Sequence, residues 1–239
     1  MAKFVVGVVS EGPTDFVVLQ YILSTFAQFR GDEIELRRIQ PHIDATSGRR
    51  SEGGWTQVYQ WCVRNPPPAR AFLFQSGSLF EGGDDPLDFL IVHMDTDIAE
   101  HILYGRYPLP QQGAQAHNLS SNVGRGAFVN DTIALWLDLS NDGNAARCLP
   151  APAVECAETW LVAGLRRAPS NPEAFPRIMQ WFIRAMYRSE GVATVPRGLR
   201  KLKKSESRYI RFLSRASPDV LKSQARCLHL RRLVARIFV

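Results

Sequence analysis

The stretch VVGVVSEGPTDFVVL, residues 5–19, predicts the fold of this chain. A run of small and β-branched apolar residues, typical of a buried strand, ends at Ser10, Glu11 and Gly12. Apolar residues at helical spacing follow directly, so the stretch predicts a strand, a tight turn and a helix, with Thr14 as the N-cap. Glu11 is therefore expected at the carboxyl end of a strand, where open α/β sheets hold their ligands.

A second apolar run, DFLIVHMDTD at residues 88–97, ends in Asp95 and Asp97. If its strand lies beside the first in one parallel sheet, Glu11, Asp95 and Asp97 meet at one edge. Three carboxylates repel one another unless a cation lies between them, and Mg²⁺ and Mn²⁺ prefer oxygen ligands. The pattern therefore predicts a divalent metal site. His93, inside the strand, is expected to pack in the core and to stay out of the site.

The pair of motifs EGPTD and DTD, beginning at Glu11 and Asp95, resembles the Toprim domain. That domain occurs in topoisomerases, bacterial primases and OLD-family nucleases, with a Glu after its first strand and a DxD motif after a later one. The resemblance covers roughly residues 3–165 and implies an α/β fold with a Rossmann-like, mostly parallel sheet flanked by helices. It also implies phosphodiester chemistry, in which Asp95 and Asp97 hold Mg²⁺ or Mn²⁺ and Glu11 either ligates or acts as general base.

Two further features follow the same resemblance. The string ETWL that begins at Glu158 is similar to a helix of compact OLD-related proteins, which implies that Glu158 reaches a second metal ion. Glu155, one turn earlier, is the competing residue, and an ordinary helix with surface glutamates is the alternative. OLD-type nucleases also use a basic residue, C-terminal to the acidic set, to support the scissile phosphate. The candidates for that residue are Lys201, Lys203 and Lys204, of which Lys204 is favoured.

The net charge of +6 is unevenly distributed. Residues 196–239 hold 13 basic residues (Lys and Arg) and 2 acidic residues (Asp and Glu). Residues 1–195 hold 16 basic and 21 acidic residues. We expect a Toprim-like catalytic domain at residues 1–165 and a basic helical region at 166–239 that binds a polyanion. A solvated basic helical face is the alternative. The residues predicted to contact nucleic acid are Arg200, Lys201, Lys203, Arg208 and Arg211.

Several members of the Toprim group are excluded by what the sequence lacks. A topoisomerase needs a second domain with a nucleophilic tyrosine, and 239 residues are expected to be too few for that architecture. A bacterial primase usually carries a zinc-binding module, and the four cysteines do not have the spacing of one. No GxxxxGK[ST] motif is present for an ATPase. The remaining possibility is a compact nuclease, similar to effectors of bacterial anti-phage systems such as PARIS. That resemblance implies a separate ATPase that holds or triggers the nuclease.

The expected substrate is DNA or a structured RNA such as tRNA. Alternative functions are a catalytically degenerate subunit that binds nucleic acid and acts through a partner, and a phosphohydrolase or response-regulator-like domain. A homodimer is possible through apolar residues 175–187, for which a core role is the alternative. No apolar run reaches the ~18–20 residues of a membrane span. The N-terminus lacks the features of a signal peptide, so a cytoplasmic protein with reduced thiols is expected.

The rest of the chain alternates between strand and helix patterns, which favours the α/β class. Strands are predicted at residues 3–9, 33–40, 87–93 and 147–154, the second and fourth of them near sheet edges. Helices are predicted at residues 16–29, 56–64, 98–105, 130–139, 155–165, 172–187 and 225–238. Residues 69–80 fit either a helix or a strand.

Two loops carry further candidates. Arg49 and Arg50 lie in a glycine- and serine-rich loop, where they contact phosphate or are simply exposed. Asp84 and Asp85 lie in the acidic turn EGGDDP, where they are extra metal ligands or, as the favoured alternative, solvated.

Overall fold

The computed structural model describes residues 1–40, 54–75, 85–110, 117–174, 178–192 and 204–238. Within these residues four strands form one parallel sheet in the order β2-β1-β3-β4. The strands are β1 (Lys3–Val9), β2 (Glu33–Gln40), β3 (Phe89–Asp95) and β4 (Cys148–Ala153). The predicted α/β class and the parallel, Rossmann-like sheet are confirmed. β2 and β4 are the edge strands, as their sequences predicted, and the two prolines of β4 suit that position.

Helices cover both faces of the sheet. They are α1 (Pro13–Arg30), α2 (Trp55–Arg64), α3 (Pro67–Ala71), α4 (Ala99–Tyr104), α5 (Asn122–Trp136), α6 (Glu158–Gly164), α7 (Ile178–Ser189), α8 (Glu206–Ala216), α9 (Val220–Arg226) and α10 (Leu228–Ile237). None of the helices in the described ranges is long and apolar enough to cross a membrane.

The alternation of side chains along β1 divides the core into two layers. Val6 and Val8 pack into one apolar cluster together with α1, whereas Val5 and Val9 pack into a second cluster with α2 and α5. Successive side chains of a strand point to opposite faces, so a strand that is apolar throughout serves both layers. This explains why the sequence of β1 is a continuous apolar run.

The C-terminal helices belong to the α1 layer. Tyr209 and Phe212 of α8, Leu230 of α10 and Phe182 and Met186 of α7 are buried in the same apolar cluster as Val6 and Val8. The apolar face of α7 therefore serves the core. Through this packing, the basic helical region lies directly against the sheet and contributes side chains to its carboxyl edge.

Glycine is needed where β1 meets its neighbours most closely. A Cβ atom at Gly7 would lie 2.6 Å from side-chain carbons of both Ile39 and Leu87. Gly31 ends α1 with a φ of 74°, a left-handed conformation that glycine adopts without strain. These two positions fix how β2 follows α1 and packs beside β1.

Two predicted helix starts are wrong. Helix α1 begins at Pro13 with Gly12 as the N-cap, so Thr14 lies in the first turn and not at the cap. Helix α5 begins at Asn122, where the Ser121 hydroxyl accepts a hydrogen bond from the N–H of Gly124, and not at residue 130. Two glycines in its first turns disfavour a helix by propensity. Close packing requires them: a Cβ at Gly124 would clash with the backbone of residue 118.

The predicted final helix over residues 225–238 is divided in two. Cys227 leaves helical geometry, and α10 starts behind it with the Glu173 carboxylate accepting the N–H of Leu228 at 3.0 Å. A carboxylate from a distant segment thus caps the second helix, which local periodicity could not reveal. The four cysteines are free and buried, as expected for reduced thiols.

Candidate functional site

Glu11 and Asp95 meet at the carboxyl edge of the sheet. Glu11 lies two residues beyond β1, and Asp95 is the last residue of β3. The Glu11 carboxylate accepts a hydrogen bond from the N–H of Asp95, with Oε1 2.8 Å from the nitrogen. Because β1 and β3 are adjacent and parallel, the turns that follow them lie side by side. The structure therefore brings together the two acids that the sequence placed at the ends of two strands.

A third carboxylate, which sequence reasoning missed, belongs to this group. Asp15 is buried in the first turn of α1, and its Oδ2 accepts the N–H of Gly12 at 2.8 Å. This contact satisfies one of the free N–H groups at the helix start. The signal was present in the motif EGPTD, where an acid follows the turn glycine by three residues.

A cavity of about 310 Å³ opens between these acids. Glu11, Asp15 and Asp95 line it, together with the turn at residues 12–14, Gly54 and Lys204. Lys204 is the basic residue favoured by the resemblance, and the structure places it across the cavity from the carboxylates. Lys201, Lys203 and Arg200 lie outside the described residues, as do Arg49, Arg50 and Asp84.

Asp97 lies at the rim and not among the residues that line this cavity. It occupies a turn of 3₁₀ helix, Thr96–Ile98, directly behind β3, and it is exposed. Glu155 lies beside the same 3₁₀ turn, because its N–H donates a hydrogen bond to the Thr96 hydroxyl. Its backbone has a φ of 62°, and its carboxylate lies 3.8 Å from the guanidinium of Arg125. Asp85 is far from the site in the fold, because it pairs with Lys3 at the opposite end of β1, 2.8 Å away.

Glu158 is completely buried at the start of α6 and is held by two partners from the C-terminal region. Its Oε1 lies 2.8 Å from the ammonium of Lys204 and accepts a hydrogen bond from the hydroxyl of Tyr209. Burial favours the neutral acid, but Lys204 and Tyr209 outweigh it and lower the pKa of Glu158. Burial lowers the pKa of Lys204, but the combined attraction of Glu158, Asp15 and Asp95 outweighs it and the net shift is upward. In this geometry Glu158 holds Lys204 at the cavity.

His93 is buried in the core, as predicted, and lies directly beneath the site. Its ring is fully buried, with Nδ1 2.9 Å from the carbonyl oxygen of Ala151, so Nδ1 carries the hydrogen. Nε2 lies 3.5 Å from Oδ1 of Asp95, which also accepts the N–H of Ala157 at 2.9 Å. Burial lowers the pKa of His93, but Asp95, Asp15 and the carbonyl of Ala151 together outweigh it and the net shift is upward. The Asp95 carboxylate is thus held by the N–H of Ala157, and Nε2 of His93 lies close to it without a hydrogen bond among the described residues.

The carboxylates strongly favour protonation because they are buried close together. Burial and then repulsion from Asp95 raise the pKa of Glu11 to about 9 and that of Asp15 to about 7. Partial burial at the rim and repulsion from Asp95 raise the pKa of Asp97 to about 6. When these groups are ionised they carry a surplus of negative charge that a bound cation would offset. Oxygen donors of this kind fit Mg²⁺ or Mn²⁺.

As they stand, the His, Cys, Asp and Glu side chains in the described parts of the chain form no group of three or more placed to hold a metal ion. Oε1 of Glu11 already accepts the N–H of Asp95, and Oδ1 of Asp95 already accepts the N–H of Ala157. The donor types still match a hard divalent ion, with Glu11, Asp95 and Asp97 as the residues that would hold it.

Two arginines predicted to contact nucleic acid have different environments. The guanidinium of Arg208 pairs with both carboxylate oxygens of Glu190, at 2.5 and 2.7 Å, and lies over the ring of Tyr187. Its donors are therefore largely used within the chain. Arg211, one turn further along α8, is exposed.

Comparison of the chain with protein-family models, with curated proteins and with solved structures gave no match.

Proposed function

We propose that this chain is a divalent-metal-dependent nuclease with a Toprim-like active site. The observation that supports the proposal is the contact of Glu11 with Asp95 beside Lys204 on one small cavity. A phosphodiester is an anion, so it can approach carboxylates only if positive charge offsets their repulsion. A cation bound by the carboxylates and the ammonium of Lys204 in the same cavity would supply that charge. The motif pair EGPTD and DTD connects this arrangement with Toprim enzymes.

In the proposed site, Glu11, Asp95 and Asp97 hold Mg²⁺ or Mn²⁺. When bound, such an ion polarises the phosphate, lowers the pKa of an attacking water and stabilises the leaving oxygen. Lys204 offsets the charge on the phosphoryl oxygens. Glu158 keeps the Lys204 ammonium in place, which is a different role from the second-metal ligand that the resemblance implies. The N–H of Ala157 orients Asp95, and the ring of His93 packs beneath it.

The substrate in this proposal is DNA or a structured RNA such as tRNA. The resemblance to anti-phage effectors extends the proposal to a cellular role, in which a partner ATPase holds the nuclease inactive until infection. A homodimer and a cytoplasmic location belong to the same proposal.

The first experiment is a cleavage assay with plasmid DNA and total tRNA, in Mg²⁺, in Mn²⁺ and in EDTA. We expect metal-dependent cutting that falls at least 100-fold in Glu11→Ala and in Asp95→Ala. Glu33→Ala is the matched control, because Glu33 is an exposed acid at the amino end of β2, away from the site. Wild-type activity in both site variants, with folds shown intact by circular dichroism, contradicts the proposal.

A second function is favoured by the excess of basic residues over the C-terminal helices. In this alternative the chain binds nucleic acid without cutting it and acts through a partner. It predicts salt-sensitive binding with no turnover in any metal, including in the presence of the ATPase partner recovered by pull-down.

A further inference from the structure

A second cavity, of about 640 Å³, lies on the surface where α6, α7 and α8 come together. Leu165 and Trp181 form part of its apolar wall. Five arginines from three separate segments surround it. They are Arg166, Arg167, Arg184, Arg188 and Arg215, and we refer to this cavity as the arginine pocket.

Among the described residues, the arginines of the pocket form no ion pair, although Arg215 is close enough to Glu190 to help lower the pKa of that carboxylate. All five arginines are exposed, and none of the described residues that line the pocket is acidic. The Arg215 guanidinium donates one hydrogen bond, to the carbonyl oxygen of Ser189 at 3.1 Å. The nearby carboxylate of Glu190 is held by Arg208. Across the described ranges, none of the five arginines is within ion-pair distance of an Asp or Glu.

Five guanidinium groups around one concavity repel one another, so their arrangement favours an anionic ligand. Guanidinium groups bind phosphate through paired N–H donors, and they retain their charge at any physiological pH. A single inorganic phosphate engages one or two such groups, whereas a pocket of this size with five of them matches several linked phosphates. The ligand that the charges fit is therefore a polyanion.

The wall of the pocket adds a second requirement. Trp181 and Leu165 line it next to the arginines, and both are partly buried against the apolar core. In proteins that bind single strands, aromatic side chains stack on unpaired bases while basic residues contact the backbone. A base in a duplex is already stacked and paired, so its face is not accessible in this way. Phosphates together with an exposed base describe a single-stranded nucleic acid.

The pocket is connected to the acidic site by two helices. Helix α6 begins at Glu158 and ends just before Leu165, and α8 begins beside Lys204 and carries Arg215 in its last turn. Arg215 is eleven positions beyond Lys204, and the part of α8 from Glu206 to Arg215 is roughly 14 Å long. One continuous strand can therefore contact both places.

We propose that the arginine pocket binds a single-stranded segment of nucleic acid and anchors the strand beside the acidic site. The anchoring role rests on the proposed nuclease function, whereas binding at the pocket does not.

The test measures binding of a fluorescein-labelled 12-nucleotide single strand by anisotropy, in EDTA and in the Glu11→Ala background, so that cleavage does not interfere. The test variant is Arg166→Ala/Arg184→Ala. The charge-matched control is Arg64→Ala/Arg232→Ala, which removes two exposed arginines from other surfaces. We expect at least tenfold weaker binding for the test variant and less than a threefold change for the control. In a plot of the logarithm of the association constant against the logarithm of the salt concentration, the magnitude of the slope should decrease by about 1.4, or about 0.7 for each lost phosphate contact.

Competition and a conservative variant identify the kind of ligand. We expect the unlabelled single strand to compete at least tenfold better than a duplex of the same sequence or heparin, and Trp181→Phe to weaken binding of the single strand several-fold more than that of the duplex. Equal competition by the duplex, by heparin or by anionic vesicles overturns the assignment to single strands. Equal affinities of test and control variants overturn the site itself. Since these measurements need no catalysis, they are independent of whether the cleavage assay succeeds.

Discussion

The ammonium of Lys204 lies 2.8 Å from Oε1 of Glu158, a carboxylate with no exposed surface. The side chain of Lys204 is itself 39% exposed and reaches the cavity that Glu11 and Asp95 line. One buried acid thus fixes a cation at the mouth of the acidic site. The hydroxyl of Tyr209 holds the same oxygen, so α6 and α8 are joined at this point by a polar contact within an apolar layer.

We therefore expect Lys204 and Glu158 to depend on each other for stability. Lys204→Met leaves the Glu158 carboxylate buried without a cation, which should cost about 2–4 kcal/mol in the free energy of unfolding. Combining it with Glu158→Gln should recover about 1–3 kcal/mol of that loss. Urea denaturation of the two single variants and the double variant, in EDTA, measures the coupling.

The control for this cycle is Lys3→Met, because Lys3 pairs with Asp85 on the surface. It should leave the unfolding free energy close to that of the wild type. If the effects of Lys204→Met and Glu158→Gln are simply additive, the two side chains do not form the coupled pair that their geometry indicates.

The crowding of carboxylates predicts a response to metal that is separate from activity. Mn²⁺ at about 100 times its dissociation constant should stabilise the wild type by about 2.7 kcal/mol, which corresponds to a rise in Tm of about 5–10 °C. Near neutral pH, folding forces the Glu11 carboxylate to take up a proton that the unfolded chain does not hold, which costs stability. Glu11→Gln removes this cost, so it should be more stable than the wild type in EDTA and gain little from Mn²⁺. Differential scanning fluorimetry measures both effects.

Glu33→Gln serves as the control for the metal titration, and it should show the wild-type rise in Tm. A rise of the same size in Glu11→Gln would exclude Glu11 from the metal site. Instability of Glu11→Gln in EDTA would show that the Glu11 contact with Asp95 outweighs the repulsion.

The sheet edge could be predicted because each part of its signal is local. An apolar run that ends in an acid places Glu11 or Asp95 at the end of its own strand, and parallel neighbours bring those ends together. His93 was assigned to the core for a similar reason, since it alternates within an apolar strand. It is buried, yet its position beneath Asp95 depends on β4, which supplies the carbonyl of Ala151.

The cationic half of the site could not be predicted in the same way. Glu158 and Lys204 are far apart in the chain, and only the packing of α8 against the sheet layer brings them together. The sequence predicted that the basic residues at positions 200–211 contact nucleic acid. The arginine pocket instead draws on Arg166, Arg184 and Arg215, which no single motif contains. Charge counted along the chain does not show which charges share a surface.

A buried ion pair away from the site provides a test of the fold. Arg70 and Asp142 lie 2.8 Å apart with almost no exposed surface, and Arg70 also donates to the carbonyl of Leu137. They connect α3 to the segment that precedes β4. Asp142→Asn leaves a buried guanidinium without its counter-charge, so we expect a loss of about 3–5 kcal/mol in urea denaturation. Asp85→Asn, which breaks the exposed pair with Lys3, is the control and should leave stability unchanged. Equal effects of the two substitutions would contradict the burial of the Arg70–Asp142 pair.

A buried histidine in α10 predicts a pH dependence of stability. His229 is 7% exposed and lies against Gly126 of α5, where a Cβ atom would clash with its ring. Its Nε2 has no hydrogen-bond partner among the described residues. Burial, followed by repulsion from Arg232, lowers the pKa of His229 to about 4. The folded protein therefore resists protonation of this ring, whereas the unfolded chain accepts a proton near pH 6.5.

The contribution of His229 to stability is complete above pH 6.5 and is lost as the pH falls from there toward 4, because only the unfolded state gains the proton. The expected loss is about 3 kcal/mol at the lower end. Glu173, which caps the same helix, has a raised pKa, so its contribution to stability increases as the pH falls. The effect of His229 is therefore measured as the difference between the wild type and a His229 variant. Urea denaturation at pH 7.5, 6.0, 5.0 and 4.5 should show a flatter acid limb for His229→Gln than for the wild type. His101→Gln, at an exposed position, should keep the wild-type profile. A wild-type slope in His229→Gln would mean that the ring is charged or solvated when the protein is folded.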